Sequence, residues 1–176
     1  FPGGAPIPTF DLPNSPAAVD AAAVAGRTIV LLTAGGARGL IAARRASAIF
    51  AASLVCADAT VRHLRSIGVP EVTLVVTGMY VDRDGDEDIA CADLLEARLR
   101  GDDPAIDAYA ARVRESDCGR RFASGSDPSL PAADLDLCAV ADRYAFAMPV
   151  RREEGGDAVE ILRVAVPASS RRPRSG

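Results

Sequence analysis

Three stretches of the chain are apolar on both faces: Ile29–Thr33, Ser47–Ala52 and Val72–Thr77. Such runs predict buried strands of a parallel or mixed sheet. Each is followed by a helical pattern. The first leads into Ala37–Ala46, the second into about Ala57–Ile67, which stops at Gly68-Val69-Pro70, and the third into Asp88–Arg100. Strand–helix–strand–helix–strand with short connections predicts right-handed crossovers and helices covering the sheet. Upstream, Ser15-Pro16 reads as an N-cap with proline at the first helical position, opening a short helix Ala17–Val24 that ends at Gly26. Downstream, Asp103–Glu115 carries the stripe Ile106, Ala110 and Val113 with Tyr109 beside it. Ser116–Gly119 is expected to break this helix, and Gly125–Leu130 to form a flexible turn. Pro131–Ala141 is expected to be helical with Leu135 and Cys138 inward. Phe146–Val150 and Ala158–Val166 predict an antiparallel C-terminal hairpin around Glu153–Asp157. The domain division is a loop lead over 1–8, a single α/β domain over 9–167, and a disordered tail over 168–176.

Composition narrows the functional classes. Twenty basic against twenty-four acidic residues give a net charge of −4, which offers no electrostatic support for a nucleic-acid partner. The basic cluster Arg171, Arg172 and Arg174 reads as a solvated end. Hydrophobic residues make up 49% of the chain, much of it alanine and valine and none of it tryptophan, which suits helices packed closely on a sheet. No apolar run approaches the roughly 20 residues needed to span a bilayer, and no signal peptide is visible. A cytoplasmic protein with no membrane partner is the expectation. The chain opens on Phe1 rather than Met, so a natural start upstream is expected. Cys56, Cys91, Cys118 and Cys138 form no C-x-x-C pair and read as reduced, mostly buried thiols. With His63 the single histidine, and assigned no role, a zinc site of standard spacing is not expected. Cys118 sits beside Arg120 and reads either as a bland thiol or as a nucleophile with lowered pKa.

Candidate chemistry gathers at the ends of the predicted strands. In open α/β sheets ligands lie beyond the strands' carboxyl ends, here Thr33–Gly36, Ser53 and Thr77-Gly78. Gly35-Gly36 allows close backbone approach, and Arg38 supplies a fork of donors for phosphate or carboxylate. The segment is not a Walker A loop and lacks the G-x-G-x-x-G spacing of dinucleotide folds. An anion site and an ordinary strand–turn–helix joint both remain open readings. Phe10–Pro16 reads either as a capped loop or as a segment whose Asp11, Asn14 and Ser15 face a polar site. Between Asp82 and Asp88 lie five acids in seven residues. The EF-hand pattern fails there, since the obligatory glycine position holds Glu87. Asp82, Asp84 and Asp86 read as a solvated acidic loop. Glu87 and Asp88 open a helix at a strand end, where hard oxygen ligands beside a phosphate pocket would suit Mg²⁺.

Taken in order, these motifs resemble one family. They are Phe10-Asp11-Leu12-Pro13-Asn14-Ser15-Pro16, Thr33…Gly36-Ala37-Arg38, Ser53, Gly78 with Glu87-Asp88, Ser116-x-x-Gly119-Arg120, and Asp134…Cys138…Asp142 before Met148-Pro149-Val150. The chain is similar to the 2-phosphosulfolactate phosphatase family, whose pattern runs roughly G-F-D-L-G-N-S-P, T-T-N-G-T-R, G-S-x-x-N-A, A-G…E-D, S-x-x-G-R and D-x-x-x-C. The match covers about Thr9 to Val150. The resemblance implies a three-layer α/β/α fold with a parallel or mixed sheet. It also implies Mg²⁺-dependent hydrolysis of 2-phospho-3-sulfolactate to 3-sulfolactate, as in coenzyme M biosynthesis. Carried over residue by residue, it makes Asp11, Glu87 and Asp88 the metal ligands. Asn14, Ser15, Thr33, Gly36, Arg38, Ser53, Ser116 and Gly119 become substrate or phosphate contacts, and Arg120 and Asp134 catalytic groups.

This chain departs from the pattern at several positions. Ala34-Gly35-Gly36-Ala37 replaces T-N-G-T, Cys56 stands for an asparagine, and Pro13 for a glycine. The family's N-terminal D-V-L-R-A-T segment is not in this sequence. Lost amide and hydroxyl donors would weaken or redirect transition-state binding. Three readings therefore stand: a phosphatase for a small phosphorylated or sulfonated acid, a divergent non-catalytic binder of a small anion or protein, and a Ca²⁺ module through Asp82–Asp88. Whether the chain forms a homo-oligomer is left open.

Overall fold

The computed structural model describes residues 7–22, 24–33, 35–78, 85–152 and 158–167. Its first helix, α1 (Pro16–Ala21), starts where the sequence asks: Ser15 is extended, its hydroxyl accepts the Ala18 N–H, and Pro16 occupies the first turn. Next come α2 (Gly36–Ala42), β1 (Phe50–Ala51), a 3-10 turn (Leu54–Cys56) and α3 (Ala57–Ser66). Then follow α4 (Asp86–Arg100), α5 (Ile106–Glu115), α6 (Asp117–Ser124) and α7 (Ala132–Cys138), and finally β2 (Phe146–Arg152), β3 (Val159–Ile161) and β4 (Val164–Ala165). Among the described residues no helix is long and apolar enough to cross a membrane.

The core is a helical cluster. Leu54, Ala57 and Val61 meet Ala90, Leu94 and Leu95 of α4, Val113 of α5, and Leu135 and Ala139 at the end of α7. Alanines at these contacts let helices approach closely, and the completely buried Leu94 is the largest filler between them. Asp142 staples the assembly. Its carboxylate takes two bonds from Arg98, at 2.8 and 2.6 Å, and the Asp58 N–H at 2.8 Å, so one side chain caps α3 and ties down the end of α4. Asp142 has φ +59, a left-handed conformation that aspartate tolerates better than most residues. Arg112 makes the matching clamp between α5 and α4, bonding Asp86 at 2.5 Å and Asp93 at 2.7 Å.

The described sheet is wholly antiparallel. β2 pairs with β1 through Phe50↔Pro149 and Ala51↔Met148, and with β3 and β4 along successive portions of its length. The expected C-terminal hairpin is therefore present, its Glu153–Asp157 turn lying outside the described residues. The expected parallel pairing is not formed among the described residues. Thr28–Thr33 carries no ladder, and Val30 is 76% exposed. Val72–Thr77 is extended but also unpaired: Val72, Leu74 and Val76 are half-buried while Thr73 and Val75 face outward. An apolar run becomes a strand only when a neighbour takes its backbone bonds, and among the described residues neither run is paired in a ladder. The Ser47–Ala52 strand shrinks to the two residues of β1, which pair with β2 instead.

Ser116 breaks the helix after Glu115, as expected, and in the same turn opens α6, with its hydroxyl accepting the Gly119 N–H at 3.0 Å and donating to the Val113 carbonyl at 2.8 Å. Three smaller expectations need correction. Cys138 is exposed, and Asp134 is buried in its stead. All four cysteines are free, yet only Cys56 is fully buried. Asp86 is no loop residue: it starts α4, two residues before the expected boundary, and pairs with Arg112. Asp82, Asp84, the 1–6 lead and the 168–176 tail lie outside the described residues.

Candidate functional site

The end of the Val72–Thr77 segment meets two helices. On one side α2 packs against it so closely that a Cβ at Gly39 would overlap the Thr77 methyl group. On the other, α4 opens after the buried, left-handed Gly85 with Asp86, Glu87 and Asp88 in its first turn. Carboxylates are favourable there because they face the unpaired N–H groups of the helix start. A Cβ at Gly78 would overlap the Asp88 carboxylate and lie 3.6 Å from Glu87 Oε1. Both carboxylates thus converge on the backbone of Gly78, and only glycine leaves room for them. Cys91, one turn on, has its thiol pushed up to about 12, first by burial and then by the charge of Asp88.

Glu87 and Asp88 are two of the three residues expected to hold a metal. Asp11 does not join them: among the described residues no three His, Cys, Asp or Glu side chains form a metal-holding group. Two adjacent carboxylates nonetheless fit Mg²⁺, which commonly takes one or two of them and completes its shell with water and phosphate. The Ca²⁺ reading through Asp82–Asp88 falls partly outside the described residues, and its Asp86 is engaged by Arg112.

The remaining candidates are distributed more widely. Arg38 is exposed on α2, one residue before the Gly39–Thr77 contact, and Gly36 is exposed at the start of that helix. Thr33 and Ser53 are half-buried at the ends of their segments. Asp11 and Asn14 are exposed in the loop before α1. Ser15 and Asp134 are buried and bonded to each other at 2.8 Å. Ser116 and Gly119 form the α5–α6 corner, where a Cβ on Gly119 would strike the Val113 and Arg114 carbonyls. Arg120 is exposed, with its guanidinium on the Asp117 carboxylate and the Glu115 carbonyl. His63 packs edge-on against Phe50, with ring centroids 5.6 Å apart. The contribution of Gly39 escaped the sequence reading; a small residue one turn into a helix that follows an apolar run was the available signal.

Chemically, this is a mixed α/β protein with two carboxylates and a nearby arginine-bearing helix gathered at one segment end, a layout suited to a cation and an anion held side by side. The family model described as 2-phosphosulpholactate phosphatase matches residues 2–148, and the chain belongs to that family. Among curated relatives, a protein of Deinococcus radiodurans named probable 2-phosphosulfolactate phosphatase is 39% identical over 101 residues, covering 55% of this chain and 40% of the relative. A Thermus thermophilus protein of the same name is 38% identical over 98 residues, 55% of this chain and 41% of its own length. A third so named, from Bacillus subtilis, is 23% identical over 164 residues, 93% of this chain and 70% of its length. The chain therefore spans about two fifths of the first two relatives in alignment. No solved structure matches it.

Proposed function

We propose that this chain acts as a Mg²⁺-dependent phosphatase on a small phosphorylated acid, of the kind named in its relatives, 2-phosphosulfolactate. The observation that carries the reading is the convergence of Glu87 and Asp88 on Gly78, beside the helix that bears Arg38. Glu87 and Asp88 would hold the Mg²⁺, which when bound supplies charge neutralisation at phosphoryl oxygens. Arg38 would pair with phosphate or sulfonate oxygens through its planar fork of donors. The closeness that Gly78 permits keeps the two carboxylates against backbone, so they need little rearrangement before binding. Phosphate release from 2-phosphosulfolactate and from a panel of small phosphorylated acids, with Mg²⁺ and with chelator, tests this. Chelator-sensitive release supports the reading; no release from any substrate sinks it in favour of a non-catalytic anion binder. The place of such a reaction would be the cytoplasm, in coenzyme M-type biosynthesis.

We infer further that Thr28–Thr33 and Val72–Thr77 are strands of a parallel or mixed sheet in a three-layer α/β/α fold. The in–out alternation of Val72 to Val76 and the apolar character of Ile29–Leu32 support this. Strongly protected amides in both segments by hydrogen exchange are the expected result, and exchange at the rate of open coil would refute it.

A further inference from the structure

Three acids stand in the first turn of α4, and the oxygens of two of them, Glu87 and Asp88, lie against Gly78. Asp86 is turned to α5 instead. Its Oδ1 accepts from Arg112 Nη2 at 2.5 Å and its Oδ2 from Arg112 Nε at a longer 3.4 Å, so both oxygens lie on one guanidinium. Arg112 Nη1 bonds Asp93 Oδ2 at 2.7 Å. Asp86 and Asp93 are about two helical turns apart and share one face of α4, the face toward α5. Glu87 and Asp88 follow at about 100° and 200° around the helix from Asp86, which aims them away from that seam. The seam itself is packed: Leu94, next to Asp93, and Val113, next to Arg112, belong to the same core cluster. Arg112 therefore fixes the rotation of α4 about its axis and engages the first of its three acids. Both ion pairs are a third or more exposed, and such pairs contribute about 1 kcal/mol or less to stability. Their larger consequence is for which carboxylates a cation at Gly78 meets. Mg²⁺ takes one or two carboxylates in a strict octahedral shell and keeps its waters, whereas Ca²⁺ takes more oxygens in a looser arrangement.

We propose that Arg112 is a specificity-determining residue for the cation: by holding Asp86 toward α5, it keeps the third acid of the turn away from Glu87 and Asp88 and so favours Mg²⁺ over Ca²⁺ there. The inference rests on the reading of Glu87 and Asp88 as cation ligands. Without Arg112, Asp86 is released to turn and α4 loses a rotational stop. Both changes favour the larger cation, which accepts an extra carboxylate and irregular geometry, more than they favour Mg²⁺.

The test uses the full chain without substrate. Bound Mn²⁺ is read by electron paramagnetic resonance while Mg²⁺ or Ca²⁺ displaces it, and the ratio of Ca²⁺ to Mg²⁺ affinity is the readout. Arg112→Met, which keeps the stem and removes the charge, should raise that ratio about tenfold or more. Adding Asp86→Asn to Arg112→Met should return it to within about threefold of the wild type, because the released group is then uncharged. Asp93→Asn alone leaves Asp86 held and should not move the ratio. Arg112→Lys, the milder change if Arg112→Met does not fold, should raise it in the same direction, since one ammonium lacks the fork that spans both oxygens of Asp86. A merely structural role would weaken both cations alike. An unchanged ratio in Arg112→Met and Arg112→Lys, in a protein whose wild type binds Mg²⁺, therefore overturns the proposal alone. So does a raised ratio that survives Asp86→Asn or appears in Asp93→Asn. A wild type that binds none of the three cations overturns the proposal together with the metal reading beneath it.

Discussion

Replacing Asp142 should cost several kcal/mol of stability, on the order of the charged bonds and the helix cap it supplies. Its two bonds to Arg98 and one to the Asp58 N–H are all 2.6–2.8 Å. Bonds to charged groups contribute about 1.5–3 kcal/mol, and a helix cap about 1 kcal/mol. The Arg98 side chain is 12% exposed, so on truncation it recovers only part of its lost solvation. About 3 kcal/mol is a fair sum for the lost contacts. Alanine at φ +59 adds roughly 1 kcal/mol of backbone strain. For Asp142→Ala the total is about 4 kcal/mol, or about 10 °C in Tm for a chain of this size. Asp142→Asn keeps the acceptor for Asp58 and tolerates the left-handed backbone, so it should lose only about 2 kcal/mol. The pH dependence has a fixed sign. Burial opposes ionisation of Asp142, but the Arg98 bonds and the Asp58 N–H outweigh it and hold the carboxyl below its usual range. Its folded pKa is thus depressed below an unfolded value of about 3.9. The contribution is fully present above about pH 4 and is lost as pH falls through the lower folded value. Urea unfolding of wild type, Asp142→Asn and Asp142→Ala at pH 7 and in the acid range reads all of this. Equal midpoints for the three proteins at pH 7, or a gap that does not shrink in acid, would refute the reasoning.

Other outcomes follow from the packing. Gly119→Ala should destabilise by about 2 kcal/mol even after the helix-propensity gain of about 1 kcal/mol, because the new methyl strikes the Val113 and Arg114 carbonyls; a raised Tm would contradict it. Cys91, with its thiol pushed up to about 12 by burial, should resist alkylation of the native protein near neutral pH. Mass mapping that finds Cys91 modified as fast as an unfolded control would count against that environment.

The helices were legible where chemistry marks their ends. Ser15-Pro16 starts α1, Gly101 in a left-handed conformation stops α4, and the Gly68-Val69-Pro70 punctuation bounds α3. α6 was not, because Gly119 reads as a breaker when the actual reason for it is the tight α5–α6 corner, known only once both helices are placed. The apolar runs at Ile29 and Val72 were legible as extended chain, but pairing is a property of two segments, and neither run states its partner. At the site, the acids opening α4 could be read from order alone. The Arg112 clamp could not, since Asp86 lies 26 residues away. Ser15, Ser116 and Asp134 show why roles are harder than positions: a hydroxyl or carboxylate holding helices together has the same letter as one holding substrate.

The most direct test of the account compares phosphate release by the wild type and by Asp88→Asn across a range of Mg²⁺ concentrations, with 2-phosphosulfolactate as substrate. The wild type should saturate with Mg²⁺ and stop with chelator, and Asp88→Asn should need about tenfold or more Mg²⁺ or lose turnover altogether. Equal turnover by both proteins, untouched by chelator, would contradict it.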